Sequence, residues 1–462
     1  MRKASASTSS AAPAAPRSVP VPVSVSIPAS RVVETLEKHV LVDGFRLVVD
    51  LAKSRGSRFV DAASGRTLID LYSSYASMPV GFNHPTFSRP EVQADLLLAS
   101  KTKVANADVY SVQYATFVDT FSRVMGLPPL GRYFFIDGGA LAVENALKAA
   151  MDWKVRKNLA RGKGERGTEI LHFEGAFHGR SGYTMSLTNT DPRKTNLYPK
   201  FPWPRVRAPR IDFSLPKADR DDATARLEAE VTRDILEILA RKGDDVAAII
   251  VEPIQGEGGD RHLRGEFLRT LRRLCDEHEM LLIFDEVQSG MGITGRNWCC
   301  EHFDVVPDLL AFGKKSQVCG VMAGPRLDEV KDNVFRLPSR INSTWGGNLV
   351  DMVRATHLLR IVESERLVDN AGRMGDVFLS ELDALAADEP IVSQVRGRGL
   401  MLAFSLPDTT SRNTFWKGLY EVGLLTIRCG ERSIRLRPVL DVTEDVVSDS
   451  IRMLREECRR MG

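Results

Sequence analysis

The sequence is poor in the residues that staple small or metal-built folds. Six cysteines are spread over 462 residues, at positions 275, 299, 300, 319, 429 and 458, and none forms a CxxC pair. That argues against a disulfide framework and against a zinc or other metal site. Cys299 and Cys300, with Glu301 and His302 after them, read as a buried pair of small apolar side chains in a reducing compartment, so a cytoplasmic protein is expected. No uncharged apolar run approaches the ~18 residues of a membrane helix, and no membrane attachment is expected. An excess of one charge is also missing: 63 Lys+Arg face 60 Asp+Glu, a formal net charge of +3. A dedicated nucleic-acid binder would carry a basic patch or stripe. Acidic residues are absent before Glu34, in a stretch rich in Ala, Ser and Pro that lacks the apolar block of a secretion signal. Residues 1–32 are expected to form a disordered tail.

Two nucleotide motifs are absent as well. Gly313-Lys314-Lys315-Ser316 lacks the upstream Gly, and the Ser/Thr directly after the first Lys, that a P-loop requires. Arg396-Gly397-Arg398-Gly399 has only the first two glycines of a dinucleotide fingerprint, and it precedes a strand rather than a helix.

What is present is an ordinary globular composition, 43% apolar and 27% charged, in a chain long enough for two or three domains at ~100–200 residues each. A short helix is expected from Val32 to Val40. An antiparallel meander of Arg46–Leu51, Arg58–Val60 and Thr67–Leu71 follows, punctuated by Gly56 and Ser64-Gly65. The rhythm then changes. Apolar runs at Tyr133–Ile136, Ile170–His172, Ala247–Val251, Leu281–Phe284 and Leu309–Phe312 alternate with helix-period segments. Such alternation predicts a parallel sheet covered on both faces. Beyond residue 350 come a helix over Met352–Ile361, strands over Gly399–Phe404, Leu424–Ile427 and Ile434–Leu436, and a closing helix over Glu444–Arg459. The expected class is α/β: a large, mostly parallel-sheet domain over 81–349, and a smaller α+β domain built jointly from 33–80 and 350–462.

In an open parallel sheet, ligands collect at the carboxyl ends of the strands. Tyr133–Ile136 ends in Asp137-Gly138-Gly139-Ala140 at the start of a helix, which suits a phosphate on backbone N–H groups or is simply a tight turn. Leu281–Phe284 delivers Asp285-Glu286, a carboxylate that needs a cation or a strong donor when buried: a pyridinium N–H, or a magnesium ion. Leu309–Phe312 delivers Gly313-Lys314-Lys315, where desolvation favours imine chemistry, although a solvated strand end is the simpler reading of any one lysine. With the P-loop and the dinucleotide motif excluded, a phosphate cradle, a buried Asp and a buried Lys on three strand ends match pyridoxal 5′-phosphate (PLP).

Those residues, with Phe284-Asp285-Glu286-Val287-Gln288-Ser289-Gly290-Met291-Gly292, Phe312-Gly313-Lys314-Lys315 and Ser343-Thr344-Trp345-Gly346-Gly347-Asn348, resemble class III aminotransferases of PLP fold type I. The resemblance spans residues 33 to 460. Glu252 to His262 (EPIQGEGGDRH), Phe177 to Tyr183 (FHGRSGY), Phe312 to Pro325 and Asn106 to Ser111 are most similar to the bacterial lysine 6-aminotransferases.

The resemblance implies roles. Lys314 would bond the cofactor aldehyde and, once freed by substrate, act as the general base; Asp285 would hold the ring nitrogen protonated. Gly139 and Ala140 would bind phosphate, Phe177 would stack on the ring, and Gln288 would reach its hydroxyl. Thr344 would complete the phosphate site of the other subunit of a homodimer. Glu257 and Arg435 match a switch pair that lets one pocket take both an ω-amine and 2-oxoglutarate. Arg437, two residues on and on the same strand face, competes for that part. Arg180, with Asn342, would clamp the distal carboxylate. Tyr75 departs from an aliphatic or Phe pattern beside the substrate tail; it shortens the pocket or offers a hydroxyl to a different amine. The implied activity is transfer of the terminal amino group of L-lysine to 2-oxoglutarate. Alternatives are another ω-aminotransferase acting on ornithine, a diamine or an ω-amino acid, and a PLP aminomutase or racemase needing no keto acid.

Overall fold

The computed structural model describes residues 27–461. Most of the expected N-terminal tail, residues 1–26, lies outside the described residues. Ala29–Arg31 form a 3-10 turn that leads into a helix over Val32–Glu37.

Strands β1 (Arg58–Val60) and β2 (Thr67–Asp70) pair antiparallel. The strand expected over Arg46–Leu51 does not form. Only Val49 bridges to Asp61. Asp50 Oδ1 then accepts the backbone N–H of Ala52 and of Lys53, both at 3.0 Å, and turns the chain.

The large sheet begins with β3 (Arg132–Ile136), β4 (Glu169–Phe173), β5 (Arg205–Val206) and β6 (Val246–Val251). A separate ladder follows, β7 (Ile254–Gln255) against β8 (Arg261–His262). Then come β9 (Leu281–Asp285), β10 (Leu309–Phe312) and β11 (Cys319–Ala323). The order across the sheet is β3-β11-β10-β9-β6-β4-β5. All these strands run parallel except β11, which is antiparallel to both of its neighbours.

The continuous apolar runs are explained by burial on both faces. Leu282, Phe284, Leu310 and Phe312 join one core. Their alternates Leu281, Ile283, Leu309 and Ala311 join the other. The helix Gly139–Ala160 covers the second face with Val143, Leu147 and Trp153; the helix Gly265–Glu277 covers the first with Phe267, Leu271 and Leu274. Each such side chain removed from water contributes about 1.5–3 kcal/mol.

Both chain ends supply the smaller sheets. β12 (Ser393–Arg398), β13 (Met401–Ser405), β14 (Leu424–Leu425), β15 (Ile427–Cys429) and β16 (Ser433–Leu436) follow the helices Leu349–Ser364 and Leu367–Asp388. The order β12-β13-β16-β15 is antiparallel throughout. The single strand expected over Leu424–Ile427 is two short ones. β14 leaves that sheet to pair parallel with β2, Leu424 opposite Ile69, so the early strands form a three-stranded sheet with the C-terminal region rather than a meander of their own. The closing helix runs from Glu444 to Met461.

Candidate active site

Three strand ends of the large sheet converge on a cavity of about 620 Å³. Gly139, Ala140, Phe177, Arg180, Asp285, Gln288 and Lys314 all line it.

The first wall is the start of the helix Gly139–Ala160. No side chain caps that helix, so its first N–H groups are left for a ligand. Gly138 has φ +97°, and a Cβ on Gly139 would meet Val287 Cγ1 at 2.9 Å. Glycine is thus favoured at 138 by its left-handed backbone and at 139 by the packing of Val287 against it.

The floor is Asp285 at the end of β9. Its Oδ2 lies 2.7 Å from His178 Nδ1, and its Oδ1 accepts Val287 N–H at 3.1 Å. His178 is fully buried. Burial alone would lower its pKa, but the hydrogen bond and charge of Asp285 outweigh it and raise it above the ordinary value. His178 Nε2 has no hydrogen-bond partner. Glu252 accepts the N–H of Phe177 at 2.9 Å and of Gly256 at 3.2 Å, and burial holds its carboxyl well above the usual range.

Lys314 follows β10 with φ +53°, left-handed for a residue bearing a side chain; such strain concentrates at functional sites. Burial, then the charge of Arg435, push its amine below the ordinary lysine value. Lys315 faces elsewhere. Its Nζ donates to the carbonyls of Met78 (2.8 Å) and Pro438 (3.3 Å), and burial brings its pKa down to about 7.

Beyond Gln288 lies a second cavity, of about 1130 Å³, lined by Tyr75, Lys194, Glu257 and Arg435 among others. Arg435 Nη2 donates to Glu257 Oε2 at 2.6 Å, and Lys194 Nζ donates to Glu257 Oε1 at 2.5 Å. Burial raises the Glu257 pKa, but Arg435 and Lys194 together bring it down to about 2. Arg437, fully buried, pairs instead with Asp260 and donates to the Leu402 and Leu436 carbonyls. Gln288 Oε1 ties the two arginines together, accepting from Arg435 Nη1 at 3.2 Å and from Arg437 Nη2 at 3.0 Å.

Tyr75 sits in a turn, Ser73–Ala76, whose four residues all have positive φ. Asp70 Oδ1 holds that turn through Ser73 N–H at 2.7 Å, and Ser73 Oγ donates to the Arg437 carbonyl at 2.6 Å. Asn342 and Thr344 do not line either cavity of their own chain; both are exposed. Sequence reasoning missed His178, Glu252 and Lys194. His178 adjoins Phe177 in a motif already singled out, and a buried aspartate demands a donor. Lys194, in a 3-10 turn far along the chain, carries no local signal.

The residues fit PLP by their chemistry: an uncapped helix start for phosphate, a buried carboxylate for a protonated ring nitrogen, and a desolvated amine at the opposite wall for an aldehyde. Sheet order, reversed β11 and this donor set define a PLP-dependent enzyme of fold type I. The profile described as Aminotransferase class-III matches residues 42–457, and the chain belongs to that family. An L-lysine-epsilon aminotransferase of Mycobacterium tuberculosis is 51% identical over 428 residues, covering 92% of this chain and 94% of the relative. One of Streptomyces clavuligerus is 49% identical, covering 91% and 92%. A solved lysine aminotransferase from M. tuberculosis, in the internal aldimine form, superposes with a TM-score of 0.92 at 49% identity, covering 94% of this chain and all of that one.

Proposed function

We propose that this aminotransferase moves the terminal amino group of L-lysine to 2-oxoglutarate, giving 2-aminoadipate 6-semialdehyde and glutamate. The observation that carries the reading is the buried Arg435 masked by Glu257 at 2.6 Å beside the cofactor cavity. Lysine reacting through its side chain presents no carboxylate near the reacting carbon, and an arginine left bare there would be an unpaired buried charge. Glu257 supplies the missing anion. 2-Oxoglutarate brings its own carboxylate next to the reacting carbon, so Arg435 must then be released to it. The naming of relatives about half identical to this chain as L-lysine-epsilon aminotransferases supports the same donor.

PLP, when bound, supplies the electron sink for proton loss at the carbon bearing the transferred nitrogen. In this reading Lys314 Nζ takes and returns that proton, Asp285 keeps the ring nitrogen protonated with His178 behind it, and the uncapped helix start at Gly139 and Ala140 holds the phosphate. Phe177 covers the ring and Gln288 reaches toward its hydroxyl. Arg180, exposed at the cavity wall, clamps the distal carboxylate with its planar fork.

The reading includes a homodimer. In it Thr344 and Asn342, exposed beside an exposed Trp345 and lining neither cavity of their own chain, serve a neighbouring copy. It also places the enzyme in the cytoplasm, which suits six free cysteines, five of them buried. Among the described residues no helix is long and apolar enough to cross a membrane.

A screen of amino donors with 2-oxoglutarate, reading the glutamate formed, tests the function. Lysine should head the series; a clear preference for ornithine or 4-aminobutyrate would overturn the donor, and turnover without any keto acid would overturn transamination.

A further inference from the structure

Glu257 is held by two cations of different character. Arg435 stands on β16, inside a sheet, with 3% of its side chain exposed. Lys194 ends a short 3-10 turn, Pro192–Lys194, in a loop, with 24% of its side chain exposed, and its ammonium lies 5.2 Å from the centre of the Phe177 ring. The two bind separate oxygens, Arg435 on Oε2 and Lys194 on Oε1. Glu257 itself has 26% of its side chain exposed, so both contacts sit at the wall of the larger cavity.

We propose that Lys194 is the positioning residue that retains Glu257 when a substrate carboxylate displaces it from Arg435, and so sets the balance between the two half-reactions. The inference rests on the switch described above. With the ω-amine bound, Glu257 shares both cations. With the keto acid bound, Arg435 is taken and Lys194 is the cation that remains. Removing Lys194 therefore costs the second state more than the first, and only a differential cost shifts an equilibrium between states. A fixed guanidinium inside a sheet and a lysine on a loop suit these parts: the first stays to receive substrate, the second follows the carboxylate. The Phe177 ring beneath the ammonium adds a favourable face for it and couples the loop to the cofactor wall.

The test uses the holoenzyme and single-turnover absorbance changes of the cofactor, measured separately with lysine and with 2-oxoglutarate. In Lys194→Met the efficiency with 2-oxoglutarate should fall relative to that with lysine by about tenfold or more. Lys194→Arg should restore the ratio. In a Glu257→Gln background the same Lys194→Met change should leave the ratio within about twofold, because the group that Lys194 retains is gone. Equal losses in both half-reactions, or a ratio shift that persists without the Glu257 charge, would overturn the proposal. If the unmodified enzyme does not react with lysine, the donor reading fails instead, and the ratio is measured with whichever ω-amine it accepts.

Discussion

His178 Nδ1 lies 2.7 Å from Asp285 Oδ2 beneath the cofactor cavity, with both side chains buried. The pair explains how a carboxylate is kept at the end of an apolar strand. His178, its pKa raised by that carboxylate, sets a donor behind Asp285, whose other oxygen accepts Val287 N–H at the wall of the cavity where the proposed ring nitrogen would sit. His178→Gln should weaken cofactor retention by about tenfold or more, since the buried partner that orients the Asp285 carboxylate toward the cavity is lost. Titrating apoenzyme with PLP and following its absorbance checks this; unchanged affinity would remove His178 from the site.

The same pair carries a pH signature. The His178 pKa is raised on folding above the ordinary ~6.5. Its contribution to stability is then fully present below pH ~6.5 and is lost as pH rises through the raised value. The melting temperature of the unmodified protein should fall more steeply above pH ~6.5 than that of His178→Gln. Parallel curves would show that the histidine is not charged in the folded state.

The two adjacent lysines separate chemistry from packing. Lys314 faces the cavity, whereas Lys315 donates to the Met78 and Pro438 carbonyls away from it. Lys314→Ala should cut kcat by at least about 10²–10⁴-fold, the range for losing a positioned acid–base group. Borohydride reduction of the holoenzyme should leave a pyridoxyl label on the peptide containing Lys314. Lys315→Met should instead lower the melting temperature while the label stays on 314. A label found on 315 would reverse the assignment.

How much of this was legible beforehand depended on whether the chemistry was local. Leu309–Phe312 and Leu281–Asp285 announce themselves, because a strand buried on both faces must be apolar along its length and the charged residue that ends the run marks the sheet's edge. β12 was not legible. Ser393–Arg398 looks polar, yet Arg396 is buried where the Asp260 and Gly259 carbonyls accept its Nε and Nη2 at 2.8 and 2.5 Å, a setting supplied by distant chain. β11 was missed for a related reason. Cys319–Ala323 contains a glycine, and its reversed direction follows from the tight turn at Lys314–Ser316, not from composition. The Lys194 contact spans 63 residues and the Asp285–His178 contact 107, so neither leaves a periodic trace.

Arg435 and Arg437, two residues apart on one strand, should respond differently to substitution. Arg437 is enclosed with Asp260, and both side chains are inaccessible to solvent. Arg437→Met should cost about 3–5 kcal/mol of stability by stranding the Asp260 charge. Arg435→Met should instead raise KM for 2-oxoglutarate with a smaller effect on the melting temperature. Thermal denaturation and keto-acid kinetics on both variants separate the cases, and interchangeable behaviour would contradict the division.

The Glu257 charge gives the last prediction, on donor choice and pH together. Because Arg435 and Lys194 bring its pKa down to about 2 against the pull of burial, Glu257 stays ionised across the working range of the enzyme. A folded pKa below the ordinary carboxylate value means that its stabilising contribution is present above pH ~4.3 and is lost only as the pH falls toward the depressed value. In the proposed switch the carboxylate is then moved by substrate charge and not by protons, and donor preference should not titrate between pH ~5 and ~8 on this group's account. Glu257→Gln keeps the size but removes the anion, which leaves Arg435 free to receive a carboxylate in either half-reaction. Preference should shift toward donors such as glutamate, with a carboxylate next to the reacting amine, by about tenfold or more in kcat/KM relative to lysine, in line with the cost of unpairing a buried arginine. A donor profile that matches the unmodified enzyme would mean that Glu257 braces Arg435 without gating it.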